Sequence, residues 1–310
     1  MTRVMVTGAG GFVGRQVVAA LLASGVAVDA VDRIAGEAPS GCEWHVADLM
    51  DAAARRAVIE TVRPSHLVHL AWDTRHGLFW HAAENLDWVA ASLDLARHFQ
   101  ACGGERLIAT GSCAEYAWTA DALPDGVCRE DKTPCRPATL YGIAKLATFQ
   151  VLQKFAASCG LGFAWPRLFY IFGAGEGPAR LVPMLITKLA AGEAVVLRHP
   201  DAERDVLDVR DLGEAIAALS LSSACGAVNV ASGEGIAIID VARRIAAHLG
   251  APEALIERGT PGPGDVEPPR LLAAVERLRH EVGFQPRHAL NDGLGEAIAD
   301  WRRRTPHTTA

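Results

Sequence analysis

No apolar run in this chain of 310 residues reaches the ~20 residues that a bilayer-spanning helix needs. The N-terminus also lacks the charged-then-apolar plan of a signal peptide, so a cytoplasmic protein with no membrane partner is expected. Positive charge is not in excess: 30 Lys and Arg against 36 Asp and Glu give a net −6, which supplies no bulk field for nucleic acid. Seven cysteines stand at scattered spacings with no CxxC pair, the pattern of reduced thiols packed as small apolar side chains. His76 and His81 lie close in sequence without a further ligand, so no metal is expected. There is no internal repeat. What remains, half the residues apolar and 21% charged, is an ordinary globular composition for one large or two modest domains.

Short apolar runs alternate with longer segments of helical period, which argues for βαβ units and a parallel sheet. Strands are expected at 3–7, 26–32, 42–47, 66–71, 106–112 and 162–169, their continuous apolar character fitting burial on both faces. Helices are expected at 12–23, 51–61, 84–102, 139–159 and 181–191. Beyond residue 170 the rhythm loosens. After a short strand, 206–220 reads as helical, 227–231 as a strand, 259–269 as a Pro/Gly-rich connection, and the tail after Trp301 as frayed.

Between the first strand and the first helix runs Thr7-Gly8-Ala9-Gly10-Gly11-Phe12-Val13-Gly14. Glycines at 8, 11 and 14 permit a tight turn and let backbone N–H groups approach a pyrophosphate at the helix N-terminus. Asp32 ends the second strand, 24 residues after Gly8, near the offset at which a carboxylate bonds the adenosine ribose. That favours NAD. Arg33 follows directly and suits a 2′-phosphate, which leaves NADP open. Asp48-Leu49 is placed to reach the adenine, or Asp48 simply caps a helix.

Tyr141 and Lys145 stand four apart on a predicted helix, so both lie on one face. A nearby cation stabilises a phenolate and brings tyrosine closer to useful acid–base chemistry. Ser112 closes the fifth strand at the edge where open α/β sheets bind ligands. With the glycine loop, these residues make the chain resemble the extended short-chain dehydrogenases/reductases, which modify nucleotide sugars. The family's TGxxGxxG appears as Thr7 to Gly14, its "HLA" strand as His69-Leu70-Ala71, its serine as Ser112 and its YxxxK as Tyr141 and Lys145. Asn85, Glu130, Pro137, Arg204-Asp205 and Gly233-Glu234 match further family positions.

The resemblance implies an α/β fold: a Rossmann-type doubly wound parallel sheet with a smaller, interleaved C-terminal α/β substrate lobe. Residues 1–170, with a return segment at about 205–233, would bind the dinucleotide; 171–204 and 234–305 would form the substrate lobe. It further implies NAD, with NADP possible, held by Gly8, Gly11, Phe12, Val13, Asp32, Arg33, Asp48, Leu49, Leu70, Ala71, Tyr141 and Lys145. Ser112 would orient the reacting oxygen, Tyr141 exchange its proton, and Lys145 bond the nicotinamide ribose. Relatives that dehydrate place an Asp-Glu pair directly after the serine; here Cys113 and Ala114 stand there, and neither forms a carboxylate pair, while Glu115 should face elsewhere if the segment is extended.

A keto-sugar reductase is the leading expectation, because Arg204 to Val209 and Asp300-Trp301 resemble segments of keto-sugar reductases of the family, and a 4-epimerase with tightly bound NAD is the alternative. An NAD(P)-binding sensor without turnover is the reading from outside enzymology. Trp72, Cys113, Arg180, Arg204 and Arg270 are the expected contacts of a nucleotide sugar, guanidinium forks suiting a diphosphate. Trp72, Trp80 and Trp88 fit sugar stacking or core packing equally. Relatives pair through two helices per subunit, so a homodimer through 84–102 and 139–159 is expected.

Overall fold

The computed structural model describes residues 2–262 and 268–305. Eight strands form its central sheet, the short Gly111–Ser112 beside Gly162–Leu168 and seven along its main path: β1 (Arg3–Thr7), β2 (Ala27–Asp32), β3 (Cys42–Val46), β4 (His66–His69), β5 (Arg106–Ala109), β6 (Gly162–Leu168) and β7 (Gly226–Val230). Their order is β7-β6-β5-β4-β1-β2-β3 and every pairing is parallel, a Rossmann-type doubly wound sheet. Val4, Met5 and Val6 are buried on both faces, as an all-parallel sheet requires. Strand order reverses at β1, and the crevice this opens lies above the ends of β1 and β4.

Helices cover both faces. On one side α1 (Phe12–Ala23) packs against α6 (Val209–Leu221) through Val17, Leu21, Leu212 and Ile216. On the other, α2 (Ala52–Val62), α3 (Glu84–Ala101) and α4 (Leu140–Cys159) bury Ile59, Leu95, Phe99, Phe149 and Leu152. Each stripe recurs at three or four residues, so one face of each helix meets the sheet. A second sheet is built from Val127–Cys128, Tyr170–Phe172, Glu203–Asp208, Gly235–Ala237 and Arg270–Ala273. Beside it, α5 (Leu181–Ala190), α7 (Ile238–Leu249) and the C-terminal helix Leu290–Arg304 enclose Leu185, Ile245, Leu294 and Ile298.

Three expectations need correction. The fifth strand stops at Ala109 and resumes only as Gly111–Ser112, because the Thr110 carbonyl turns to accept a hydrogen bond from Lys145. The helix expected from 206 begins at Val209: residues 206–208 pair in parallel with Tyr170–Phe172, and Asp208 caps the helix by accepting from the Arg210 N–H. The last helix continues past Trp301 to Arg304, since the Trp301 indole donates to Thr187 Oγ1 at 2.9 Å and Arg304 pairs with Asp300. Of the expected connection 259–269, residues 263–267 lie outside the described residues, as do 306–310 of the tail.

Candidate active site

The glycine loop leaves β1 with Gly8 in the left-handed region, φ +67°. A Cβ there would stand 3.0 Å from the Ala71 backbone, and one at Gly14 would stand 2.1 Å from the Gly8 carbonyl oxygen. Only glycine closes this turn. Gly11 precedes α1 with no side-chain cap, and the first turn carries no acidic residue, so the helix's N–H groups and positive dipole end meet no competing carboxylate. This cradle fits a dinucleotide's diphosphate. Asp32 braces it: the Gly10 N–H donates to its Oδ2 at 3.0 Å and the Arg33 N–H to its Oδ1 at 2.8 Å. Phe12 and Val13 lie half-buried at the start of α1, and Leu70 and Ala71 half-buried across the crevice beyond β4. Leu49 is buried, whereas exposed Asp48 accepts from the Met50 N–H.

His69, at the end of β4, is fully enclosed. One ring nitrogen bonds Thr7 Oγ1 at 2.7 Å and the other Ser92 Oγ at 2.9 Å; burial, with Lys145 nearby, pulls its pKa down to about 3. The imidazole is neutral and structural.

Ser112, Tyr141 and Lys145 converge from the β5–β6 edge and from α4. Thr139 caps α4 by accepting from the Gly142 N–H, which fixes the first turn that carries Tyr141. Burial pushes the Tyr141 phenol well above the ordinary tyrosine range; the Ser112 side chain beside it and the charge of Arg180 act against that rise. The expected lowering by Lys145 is not what the geometry provides, because the ammonium is turned elsewhere: Nζ donates to the Thr110 carbonyl at 2.8 Å and sits 3.7 Å from the centre of the Trp72 ring. Burial draws this amine down to about 7, Glu115 acting in the opposite sense.

Aromatic rings enclose the phenol. Phe79, Trp80 and Trp72 meet the Tyr141 ring edge-on at 4.8, 5.8 and 6.4 Å between centroids. Trp72 stacks on Trp88 at 6.0 Å, and its indole N–H donates to Asn85 Oδ1 at 2.9 Å. Asn85 in turn donates to the carbonyls of Phe79 and Ala82, so it steadies this wall and the turn before α3.

Directly after Ser112 the chain makes a 3-10 turn, not the extended path on which Glu115 was expected to point away. Glu115, itself fully buried, curls back to accept from the Ser112 N–H at 2.8 Å, from the Trp165 indole at 2.9 Å and from Arg167 Nε at 2.8 Å. Sequence reasoning missed this support behind the serine. Its only signal was Ser112-x-x-Glu115, the spacing of a capping box. Cys113 is buried and its thiol is pushed up to about 12, which leaves it protonated at neutral pH.

The candidate substrate residues separate. Trp72 and Cys113 stand beside Tyr141 and Ser112. Arg180 approaches too, donating to the Thr74 carbonyl at 2.9 Å with its guanidinium 5.6 Å from the Phe79 ring. Arg204 is buried beneath, donating to the carbonyls of Glu203 and Pro268 and lying 5.7 Å from the Tyr170 ring. Arg270 is held apart, paired with Glu203 at 2.9 Å and donating to the Asp125 carbonyl. Near Arg180, the sequence reading also passed over Glu176, whose buried Oε2 has no hydrogen-bond partner among the described residues and whose carboxyl is raised by burial to about 8.

A family model described as the NAD dependent epimerase/dehydratase family matches residues 4–231. The dTDP-L-rhamnose 4-epimerase of Burkholderia thailandensis is 26% identical, the match covering 95% of this chain and 93% of that protein. The dTDP-6-deoxy-L-talose 4-dehydrogenase (NAD(+)) of Aggregatibacter actinomycetemcomitans is 27% identical over 74% of this chain and 84% of that one. The solved UDP-glucose 4-epimerase of Thermus thermophilus, in complex with NAD, superposes with a TM-score of 0.81 at 26% identity, covering 97% of this chain and 99% of that one. A match this long, resting on an intact glycine cradle, makes the protein an enzyme that belongs to the NAD dependent epimerase/dehydratase family.

Proposed function

We propose that the protein is an NAD-dependent 4-epimerase of a nucleotide-linked sugar, working through Ser112, Tyr141 and Lys145. The observation that carries this reading is the meeting of Ser112 and Tyr141 at the ligand-binding edge, beside the glycine cradle, with no carboxylate pair next to the serine. Gly8, Gly11 and the first N–H groups of α1 hold the diphosphate of the cofactor, Asp32 its adenosine ribose and Lys145 its nicotinamide ribose. Held there, a nicotinamide would supply hydride chemistry at one sugar carbon.

The chain's own work is positional and protonic. Ser112 accepts or donates a hydrogen bond at the reacting oxygen, and Tyr141 takes that oxygen's proton and gives it back. The buried aromatic wall keeps bulk water from the exchange. Cys113 and Ala114 leave dehydration without its acid and base. Arg180 is the basic side chain best placed for the diphosphate of the substrate, since Arg270 is engaged away from the site.

The keto-sugar reductase, placed first on sequence grounds, stands second: the epimerases among the relatives weigh against it, and the 4-dehydrogenase named for 6-deoxy-L-talose weighs for it. Proton NMR of UDP- and dTDP-hexoses incubated with the enzyme separates the two. Appearance of the C4 epimer with no lasting change in reduced-nicotinamide absorbance supports the epimerase; stoichiometric gain or loss of that absorbance supports the second reading. Neither with any of these sugars would sink both.

Assembly belongs to the same proposal. Leu86 on α3 and Ile143 and Val151 on α4 are large apolar side chains left exposed, and a homodimer through these helices would cover them. Sedimentation at micromolar concentration should give a dimer, and Val151→Asp a monomer.

A further inference from the structure

Among the described residues, the buried ammonium of Lys145 has no carboxylate in contact. Its direct partners are one carbonyl oxygen, that of Thr110, and the face of the Trp72 indole at 3.7 Å. The charged and titratable groups around it are few. Glu115, on the turn after Ser112, is spent on Arg167, Trp165 and the Ser112 N–H. His69 at the end of β4 is neutral, and Tyr141 lies one helical turn away with its ring 5.9 Å from Nζ. A cation in so dry a place needs stabilisation, and an indole face supplies the largest cation–π attraction of any side chain.

Trp72 is also held more firmly than a wall residue needs to be. Asn85 fixes its N–H, Trp88 stacks behind it, and its edge touches the ring of Tyr141. We propose that Trp72 is a positioning residue for Lys145: its ring face holds the amine as an ammonium one helical turn from Tyr141, so Trp72 acts on the reaction through the lysine and not by stacking on the sugar. This rests on the triad reading above, and it names a group that the YxxxK pattern does not contain. Because Trp72 follows Leu70-Ala71 immediately, the segment beyond β4 that closes over the glycine loop also delivers the ring to the lysine.

The test compares Trp72→Leu, which removes the ring face, with Trp72→Phe, which keeps one; Trp72→Met serves in place of leucine should that variant not fold. Competitive trace labelling with acetic anhydride, read by mass spectrometry between pH 5 and 10, gives the titration midpoint of Lys145 with no substrate present. The other lysines serve as internal references. A near-neutral midpoint in the wild type is expected to fall by about one pH unit in Trp72→Leu and by a few tenths in Trp72→Phe.

With a sugar nucleotide that turns over, kcat of Trp72→Leu should fall about tenfold at pH 7.5, its high-pH limb moving down with the lysine, while KM changes less than threefold. A Lys145 midpoint above 9 in the wild type overturns the proposal, as does one that stays or rises in Trp72→Leu. A tenfold rise in KM with an unmoved pH profile would return Trp72 to the sugar site. If no sugar nucleotide turns over, the proposed function fails while the labelling still decides the tryptophan's role.

Discussion

In the proposed reaction Tyr141 carries opposing demands, since a proton carrier must reach the reacting oxygen while the ring is packed among aromatic side chains and its phenol is pushed up by that burial. Removing the oxygen alone separates chemistry from packing. Tyr141→Phe keeps the ring contacts, so NAD affinity measured by titration should be unchanged while turnover falls by about 10²–10⁴. Asp32→Ala removes both a brace of the glycine loop and the expected ribose ligand; NAD binding should weaken more than NADP binding, and equal losses would leave Asp32 only the bracing role. His69 provides a prediction about acid. Its folded pKa near 3 lies below the ordinary histidine value, so between pH 6.5 and 3 the unfolded chain binds a proton that the folded chain refuses. Stability is then lost as pH falls through 6.5, by about 1.4 kcal/mol per pH unit from this residue. Urea unfolding at pH 7 and pH 5 should show the wild type losing about 2 kcal/mol more than His69→Gln.

At the scale of elements, α4 must approach the Ser112 turn more closely than two ordinary backbones do. A Cβ on Gly142 would stand 2.4 Å from the Ala114 carbonyl oxygen and 2.7 Å from Pro137 Cβ. Gly142→Ala therefore pushes the helix off the turn and separates Tyr141 from Ser112. We expect a stability loss of about 1–3 kcal/mol by denaturant titration, and a fall in kcat exceeding that in any surface Gly→Ala variant, since misplacement by an ångström can cost 10²-fold. The same scale explains what the sequence could tell. Most of β1 to β7 were legible because they are short apolar-rich runs set between helices of clear period, β3 being the most polar of them. The strands Val127–Cys128, Gly235–Ala237 and Arg270–Ala273 were not: runs of two to four residues show no alternation and are specified by distant partners. At the site, Gly8, Ser112, Tyr141 and Lys145 announced themselves by spacing. The turn of Lys145 toward Trp72, and of Glu115 back to the serine, depend on side-chain directions that spacing does not encode.

Across the whole molecule the two sheets share interior instead of meeting at a surface. Val4 and Val6 of the first sheet belong to the same apolar cluster as Leu207, Leu271 and Ala273 of the second. A polar chain runs through this shared interior: Ser112 N–H to Glu115, Glu115 to Arg167, Arg167 to the Tyr116 hydroxyl, and that hydroxyl to Asn229 Oδ1 at 2.8 Å. Asn229, fully buried on β7, then donates through Nδ2 to the carbonyls of Cys128 and Ala274, and through its own N–H to Glu130. One side chain thus ties the serine's support to the second sheet. Lobes joined in this way should unfold together, with circular dichroism and tryptophan fluorescence giving coincident urea midpoints. Asn229→Leu fills the volume but leaves the Tyr116 O–H without its acceptor and the Ala274 carbonyl without its donor, while Arg167 and the Ala274 N–H still serve the Tyr116 oxygen and the Cys128 carbonyl, at about 1–3 kcal/mol for each buried group that loses its partner. Both midpoints should therefore fall by the same amount. If the fluorescence and dichroism transitions separate in the wild type, or if the substitution lowers only one of them, the shared interior does not couple the two sheets.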